Sequence, residues 1–191
     1  MNAKISDLIA RIRELEEEIE AEVERRREDL HFRIEDRRIR FERDILARHR
    51  ALKTGLLRYV AQARFTSLLS APLIYALILP LALIDLAVSV YQDVCFPLYG
   101  IPRVRRADYL HFDRGSLAYL NVIERFNCAY CAYANGVIAY ARQVAGRTEL
   151  YWCPIKHARR IVEAHTHYRQ FADFGDAESY RREVDKQRRE A

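Results

Sequence analysis

Apolar positions in the first third of the chain follow an eleven-residue repeat. The stripe consists of Leu8, Ile12, Leu15, Ile19, Val23, Arg26, Leu30, Ile34, Arg37, Phe41, Ile45, Arg48, Leu52, Leu56 and Tyr59. Arginine replaces an apolar residue at three of these positions. An eleven-residue period is about 3.67 residues per turn, so the stripe predicts one nearly straight amphipathic helix from about Ser6 to Tyr59. Such a helix would be about 80 Å long, too long to fold back on a small core.

A helix of that length needs a partner for its narrow apolar stripe. We therefore expect a coiled coil that joins copies of the chain into a homo-oligomer through residues 5–59. The alternative is a single solvated helix that is stabilised by charge pairs one turn apart, such as Glu22 with Arg26.

The pattern changes abruptly at Phe65. The next twenty residues, Phe65 to Ile84, carry no charge, and Lys and Arg are absent through Ile101. Twenty apolar residues are enough to cross the hydrocarbon core of a membrane as a helix. We therefore assign residues 65–101 to a membrane segment and residues 1–64 to a charged coiled-coil helix.

Basic residues on both sides of the apolar segment favour a re-entrant hairpin, because Lys and Arg beside a membrane segment resist translocation. Pro80 or Asp85 would mark the bend. A single tilted span is the alternative. In the hairpin, Asp85 is a functional candidate, since a carboxylate within a membrane is costly and can bind a cation or a proton. In the single span, an interfacial helix follows and Asp85 lies on the wet side.

Charge and composition limit the remaining classes of function. The net charge is +5, but the basic residues of the first zone alternate with almost as many acids, so nucleic-acid binding is not favoured. No secretory signal is visible, which predicts a protein of the inner or cytoplasmic membrane with its soluble parts in the cytoplasm.

Three of the four cysteines and one histidine have the spacing of a metal site. Cys128 and Cys131 are followed, after twenty-one residues, by Cys153 and His157. We expect a helix that ends near Phe126, a second from about Ala132 to Ala145, and a third after Pro154. The four ligands would then lie at helix junctions and hold a structural zinc ion in a Cys3His site.

Other chemistry fits the same residues. His165 would share a helical face with His157 and is an alternative ligand. The Cys3His set also resembles that of the CDGSH class of small iron–sulfur proteins, which implies an iron–sulfur cluster as the alternative cofactor. Cys128 and Cys131 alone could form a redox dithiol at a helix N-terminus.

Taken together, these patterns predict an all-α protein with a long N-terminal helix, a membrane hairpin or single span, a metal-stabilised helical module over residues 102–176 and a charged tail over 177–191. No readable catalytic motif is present, which favours a non-enzymatic scaffold or assembly factor that binds an unidentified protein partner. The alternatives are a membrane-associated redox protein and an oligomer that conducts ions past Asp85.

Overall fold

The N-terminal stripe forms a helix only over its first part. The computed structural model describes residues 3–29, 32–35, 38–41 and 43–190, and α1 covers Ala3–Asp29. Strands β1 (Phe32–Glu35) and β2 (Arg38–Phe41) follow and pair antiparallel. The prediction of one helix from Ser6 to Tyr59 is therefore wrong. Leu30 and Arg37 of the stripe lie outside the described residues.

The hairpin follows from a local change of period. From Phe32 to Glu35 and from Arg38 to Phe41, apolar and charged residues alternate, which is the period of a strand. The register pairs Phe32 with Phe41 and Ile34 with Ile39, so apolar residues oppose each other. The eleven-residue repeat passes through the same positions, but the two-residue alternation determines the structure there.

The chain divides into two compact units. The first contains Met1–Ala61 and Asp113–Arg125, and the second contains Gln62–Phe112 and Phe126–Ala191. In the first unit, β2 is followed by helices α2 (Arg43–Ala51) and α3 (Leu56–Ala61). The His49 ring contacts the Tyr119 ring edge-on, with 5.1 Å between the ring centroids.

Helix α6 (Val122–Trp152) begins in the first unit with a capping box. The Asn121 side-chain oxygen accepts a hydrogen bond from the Glu124 backbone at 3.0 Å, and the Glu124 carboxylate accepts one from the Asn121 backbone at 2.8 Å. Each bond satisfies a backbone donor that the helix start leaves unpaired, which fixes the first residue of α6.

The apolar zone forms one nearly continuous helix in the second unit. Helix α4 (Phe65–Ala76) and helix α5 (Ile78–Leu98) are separated by Leu77 alone, which keeps helical backbone angles. The predicted bend near Pro80 or Asp85 is wrong, because α5 continues through both residues. Pro80 falls in the first turn of α5, where a backbone donor has no partner within the helix, so its missing N–H breaks no bond.

Helix α6 runs alongside α4 and α5 in the same direction. Side chains bridge the helices in matching order, from Tyr75 with Asn127 through Asp85 with Tyr133 to Tyr91 with Thr148. The residue numbers rise broadly together on both sides, which makes the pair parallel. The intervening segment 99–121 returns the chain to the start of α6 and includes short 3-10 turns at Arg106–Asp108 and Asp113–Ser116.

The core of the second unit lies where α5, α6 and the segment after α5 meet. Its buried members are Phe96, Ile101, Val104, Tyr140 and Val144. The charged tail forms α7 (Ala177–Glu190), whose start is capped by the Asp176 carboxylate, which accepts a hydrogen bond from the Ser179 backbone at 2.9 Å. Val184 of α7 is buried, so the predicted tail helix forms and also contributes to packing.

Candidate functional site

The structure does not bring the four predicted metal ligands together. Cys128 and Cys131 lie one turn apart on α6, whereas Cys153 directly follows the last residue of the same helix. Twenty-one helical residues separate Cys131 from Cys153, which places their backbones about 33 Å apart. Among the described residues, no three His, Cys, Asp or Glu side chains are grouped in a way that could hold a metal ion.

The reason is that α6 does not stop at Gly146. The ring of His165 packs against this buried glycine, and a Cβ added there would lie 2.8 Å from His165 Nδ1. Gly146 is therefore a contact point within the helix, and the predicted short helices are wrong. The zinc site and the iron–sulfur alternative stay predictions that the geometry of α6 does not support.

The histidines of the predicted set lie in the segment after α6. His157 donates its backbone N–H to the Tyr168 hydroxyl, and its ring stacks on the Tyr168 ring. His165 is largely buried, with Nε2 3.0 Å from a carboxylate oxygen of Glu149 on α6. His165 thus serves to attach this segment to α6 and does not point towards Cys128 or Cys131.

The dithiol alternative also loses its electrostatic support. Cys128 lies six residues after the first residue of α6, whereas the electrostatic effect of a helix terminus is confined to the first turn. Cys153 lies outside the predicted dithiol, and its pKa is raised because burial and the nearby Glu149 carboxylate both disfavour the thiolate. The Cys153 thiol therefore lacks the environment of an activated nucleophile.

Asp85 is the best-defined polar centre of the second unit. Arg106 binds its carboxylate with two parallel hydrogen bonds, from Nε to Oδ1 at 2.8 Å and from Nη2 to Oδ2 at 2.6 Å. Tyr133 of α6 donates its hydroxyl to Oδ2 at 3.0 Å. The bond to Asp85 raises the pKa of Arg106, so the guanidinium stays charged. Asp85 therefore joins three segments and is engaged rather than open to a passing ion.

A second polar network lies two turns further along α5. The Gln92 side chain donates to the Tyr140 hydroxyl at 2.7 Å and accepts from the Val104 backbone N–H at 2.8 Å. Ser89 lies 3.4 Å from the same tyrosine hydroxyl. Asp85, Ser89 and Gln92 share one face of α5 because they are three or four residues apart. This face holds the helix against the rest of the second unit through hydrogen bonds.

The exposed surface of α4 and α5 has a different character. Thirteen large apolar side chains of this helix are exposed, and we call them the apolar belt: Phe65, Leu68, Leu69, Leu73, Ile74, Leu77, Leu79, Leu83, Ile84, Leu86, Val90, Val94 and Leu98. Among the described residues, Phe65–Leu98 is the one helix long and apolar enough to cross a membrane. The prediction of a membrane-competent apolar helix is thus confirmed.

Sequence patterns indicated Asp85 but not its partners. Arg106 is one of the basic residues that follow the apolar segment, and Tyr133 lies two residues after Cys131, but no local pattern connects either of them with Asp85. The capping box at Asn121 and Glu124 was a readable signal for the start of α6.

Comparisons with known proteins add no family or function. No family model matches the chain, and no curated protein or solved structure matches it.

Proposed function

We propose that the protein is a membrane-anchored scaffold that crosses the bilayer once through α4 and α5 and associates with copies of itself through α1. The apolar belt carries this proposal. Burial of each large apolar side chain contributes about 1.5–3 kcal/mol, so thirteen exposed side chains on one helix strongly favour transfer into lipid.

The dimensions of the helix support the anchor. Its 34 residues extend about 51 Å, compared with a hydrocarbon core of about 30 Å, so part of the helix extends beyond the core even when it is tilted by about 40°. The inward polar groups at Asp85 and Gln92 have internal partners, which a nonpolar solvent requires.

Self-association is supported by the exposed face of α1. Leu8, Ile12, Leu15, Ile19 and Val23 are 40–64% exposed and follow each other at intervals of three or four residues. This spacing is typical of a coiled-coil seam. A second copy also offers complementary charge: Arg11 would face Glu16 of that copy in a parallel pair, or Glu18 in an antiparallel pair.

In this proposal the second unit is the part that the anchor presents to a protein partner. Its fold is fixed by the Asp85–Arg106–Tyr133 cluster and the Gln92 network rather than by zinc. Zinc has no role in this proposal because α6 keeps the predicted ligands apart.

The anchor is tested by expressing the chain with a different epitope tag at each end and treating sealed membrane vesicles with protease. We expect the protein to remain in the membrane after alkaline extraction and one tag to be protected while the other is removed. The tag that the protease removes also shows which end of the chain lies outside the vesicle. Release by alkali, or equal protection of both tags, would contradict a single crossing.

Self-association is tested by disulfide crosslinking in a variant whose four native cysteines are replaced by serine. Leu8→Cys crosslinking with itself indicates a parallel pair, whereas crosslinking only in a mixture of Leu8→Cys and Ile19→Cys indicates an antiparallel pair. Glu17→Cys, on the opposite face of α1, is the matched control. Crosslinking of the stripe variants no greater than that of Glu17→Cys would remove this part of the proposal.

A further inference from the structure

A cavity lies directly after the C-terminal end of α5. It has a volume of ≈ 360 Å³, and its wall includes Gly100 and Pro102. The size falls within the range of small-molecule sites. Because Gly100 is two residues beyond the last residue of α5, the cavity is at one end of the proposed membrane anchor.

The cavity contains a positioned positive charge. Arg147 donates a hydrogen bond to the Pro102 carbonyl, which fixes the guanidinium at the cavity wall. None of the lining residues is Asp or Glu, and among the described residues Arg147 forms no ion pair. One of its five N–H groups is used in the bond to Pro102, so others remain for an anion.

The remaining lining favours a ligand with both polar and apolar parts. His167 and Gln187 add polar groups, whereas Ile101, Leu150 and Tyr151 form an apolar wall. Next to the cavity, the Tyr99 ring contacts the rings of Tyr151 and Trp152 at 5.4 and 5.3 Å. Tyrosine and tryptophan are enriched where a membrane meets water, the level of the lipid phosphates.

We propose that this cavity binds a phosphate ester through Arg147, with the hydrocarbon part of the ligand against Ile101, Leu150 and Tyr151. A planar guanidinium matches the oxygens of phosphate with parallel hydrogen bonds. The phosphate can come from an anionic glycerophospholipid or from a soluble ester. The cavity would bind the phosphate group of either source in the same way. A lipid ligand rests on the proposed membrane anchor, whereas a soluble ester does not.

The proposal is tested with the full chain purified in detergent. Binding of glycerol 3-phosphate and of phosphatidylglycerol is measured for the natural protein, Arg147→Gln and Arg142→Gln. Arg142 is an exposed arginine on α6 that does not line the cavity, and it provides the matched control. We expect Arg147→Gln to weaken binding at least about tenfold, as for loss of a charge-assisted bond, and Arg142→Gln to leave it unchanged.

Two further variants keep the test independent of folding. Arg147→Lys retains the charge and should recover part of the affinity, whereas Leu150→Trp fills the cavity and should block binding while Arg147 remains. Tighter binding of phosphatidylglycerol than of glycerol 3-phosphate identifies a lipid ligand, and comparable binding identifies a soluble one. Equal affinities for natural protein and Arg147→Gln, or no binding of either probe, would overturn the proposal whatever the membrane assay shows.

Discussion

The two faces of the helix formed by α4 and α5 differ sharply. The outward face carries most of the exposed large apolar side chains, whereas the inward face carries Asp85, Ser89 and Gln92, each with a partner within the second unit. In the proposed function the helix combines two roles. Its apolar side chains attach it to lipid, and a few satisfied polar groups determine what it packs against.

The largest expected effect comes from placing charge on the outward face. Leu73→Arg and Leu79→Arg together should cost about 5–7 kcal/mol of membrane insertion, because each arginine near the centre of a membrane helix costs about 2.5–3.5 kcal/mol. Vesicle flotation measures the membrane-bound fraction, which should fall. Val162→Arg, at a position 82% exposed outside this helix, should leave the fraction unchanged. If both variants float equally, the outward face does not contact lipid.

On the inward face, Arg106→Ala should lower the free energy of unfolding by about 3 kcal/mol. Removal of one partner leaves the buried Asp85 charge uncompensated, and the guanidinium is itself 46% exposed, so the loss is at the low end for a buried pair. Denaturant unfolding in detergent measures it. Arg105→Ala is the control, since its contact with Asp108 is 3.8 Å long and exposed. Equal losses in the two variants would contradict a special role for the Asp85 pair.

Gly136→Ala on α6 should lower the free energy of unfolding by a smaller amount, about 1–3 kcal/mol. The added Cβ would lie 2.6 Å from the Tyr109 carbonyl oxygen, which belongs to the backbone and cannot turn away. Gly146→Ala should cost less, because the atoms it meets belong to the His165 side chain. Gly115→Ala meets no described atom within 4 Å and should have little effect. A neutral Gly136→Ala would show that segment 109–110 does not pack on α6.

Outside the inward face, Glu149→Gln should produce a modest increase in the reactivity of the Cys153 thiol. Loss of the carboxylate charge lowers the pKa of this thiol, so more thiolate is present at neutral pH and alkylation becomes a few-fold faster. Alkylation followed by mass spectrometry measures the rate at Cys153, with Cys131 as an internal reference. Glu163→Gln is the control. A slower reaction in Glu149→Gln would contradict the electrostatic effect.

The smallest effect is expected from a metal chelator. Because α6 keeps Cys131 and Cys153 about 33 Å apart, chelation should leave the unfolding midpoint unchanged. Elemental analysis should find far less than one zinc ion per chain. One zinc ion per chain that is lost in Cys153→Ser would instead show that α6 breaks between these cysteines and that the predicted site forms.

The sequence predicted features that depend on local periodicity or length. The apolar segment from Phe65, the helical start of the stripe and the tail helix all form, because a run of similar spacing determines which faces need burial. The β-hairpin formed by β1 and β2 was not predicted. The eleven-residue repeat and a two-residue alternation coexist in this segment, and the prediction rested on the repeat. Self-association through α1 stays a prediction.

The tertiary structure determines which of the candidate site residues lie close together. Cys128, Cys131, Cys153 and His157 have ligand-like spacing, yet spacing cannot show whether the residues between them form a turn or one unbroken helix. His165 packs against Gly146, directly after the residue where the second predicted helix would end, and Tyr109 packs against Gly136 earlier on α6. Asp85 was visible as an isolated carboxylate, but its partners Arg106 and Tyr133 are 21 and 48 residues away. Contacts at such separations depend on how the chain returns on itself, which no local pattern encodes.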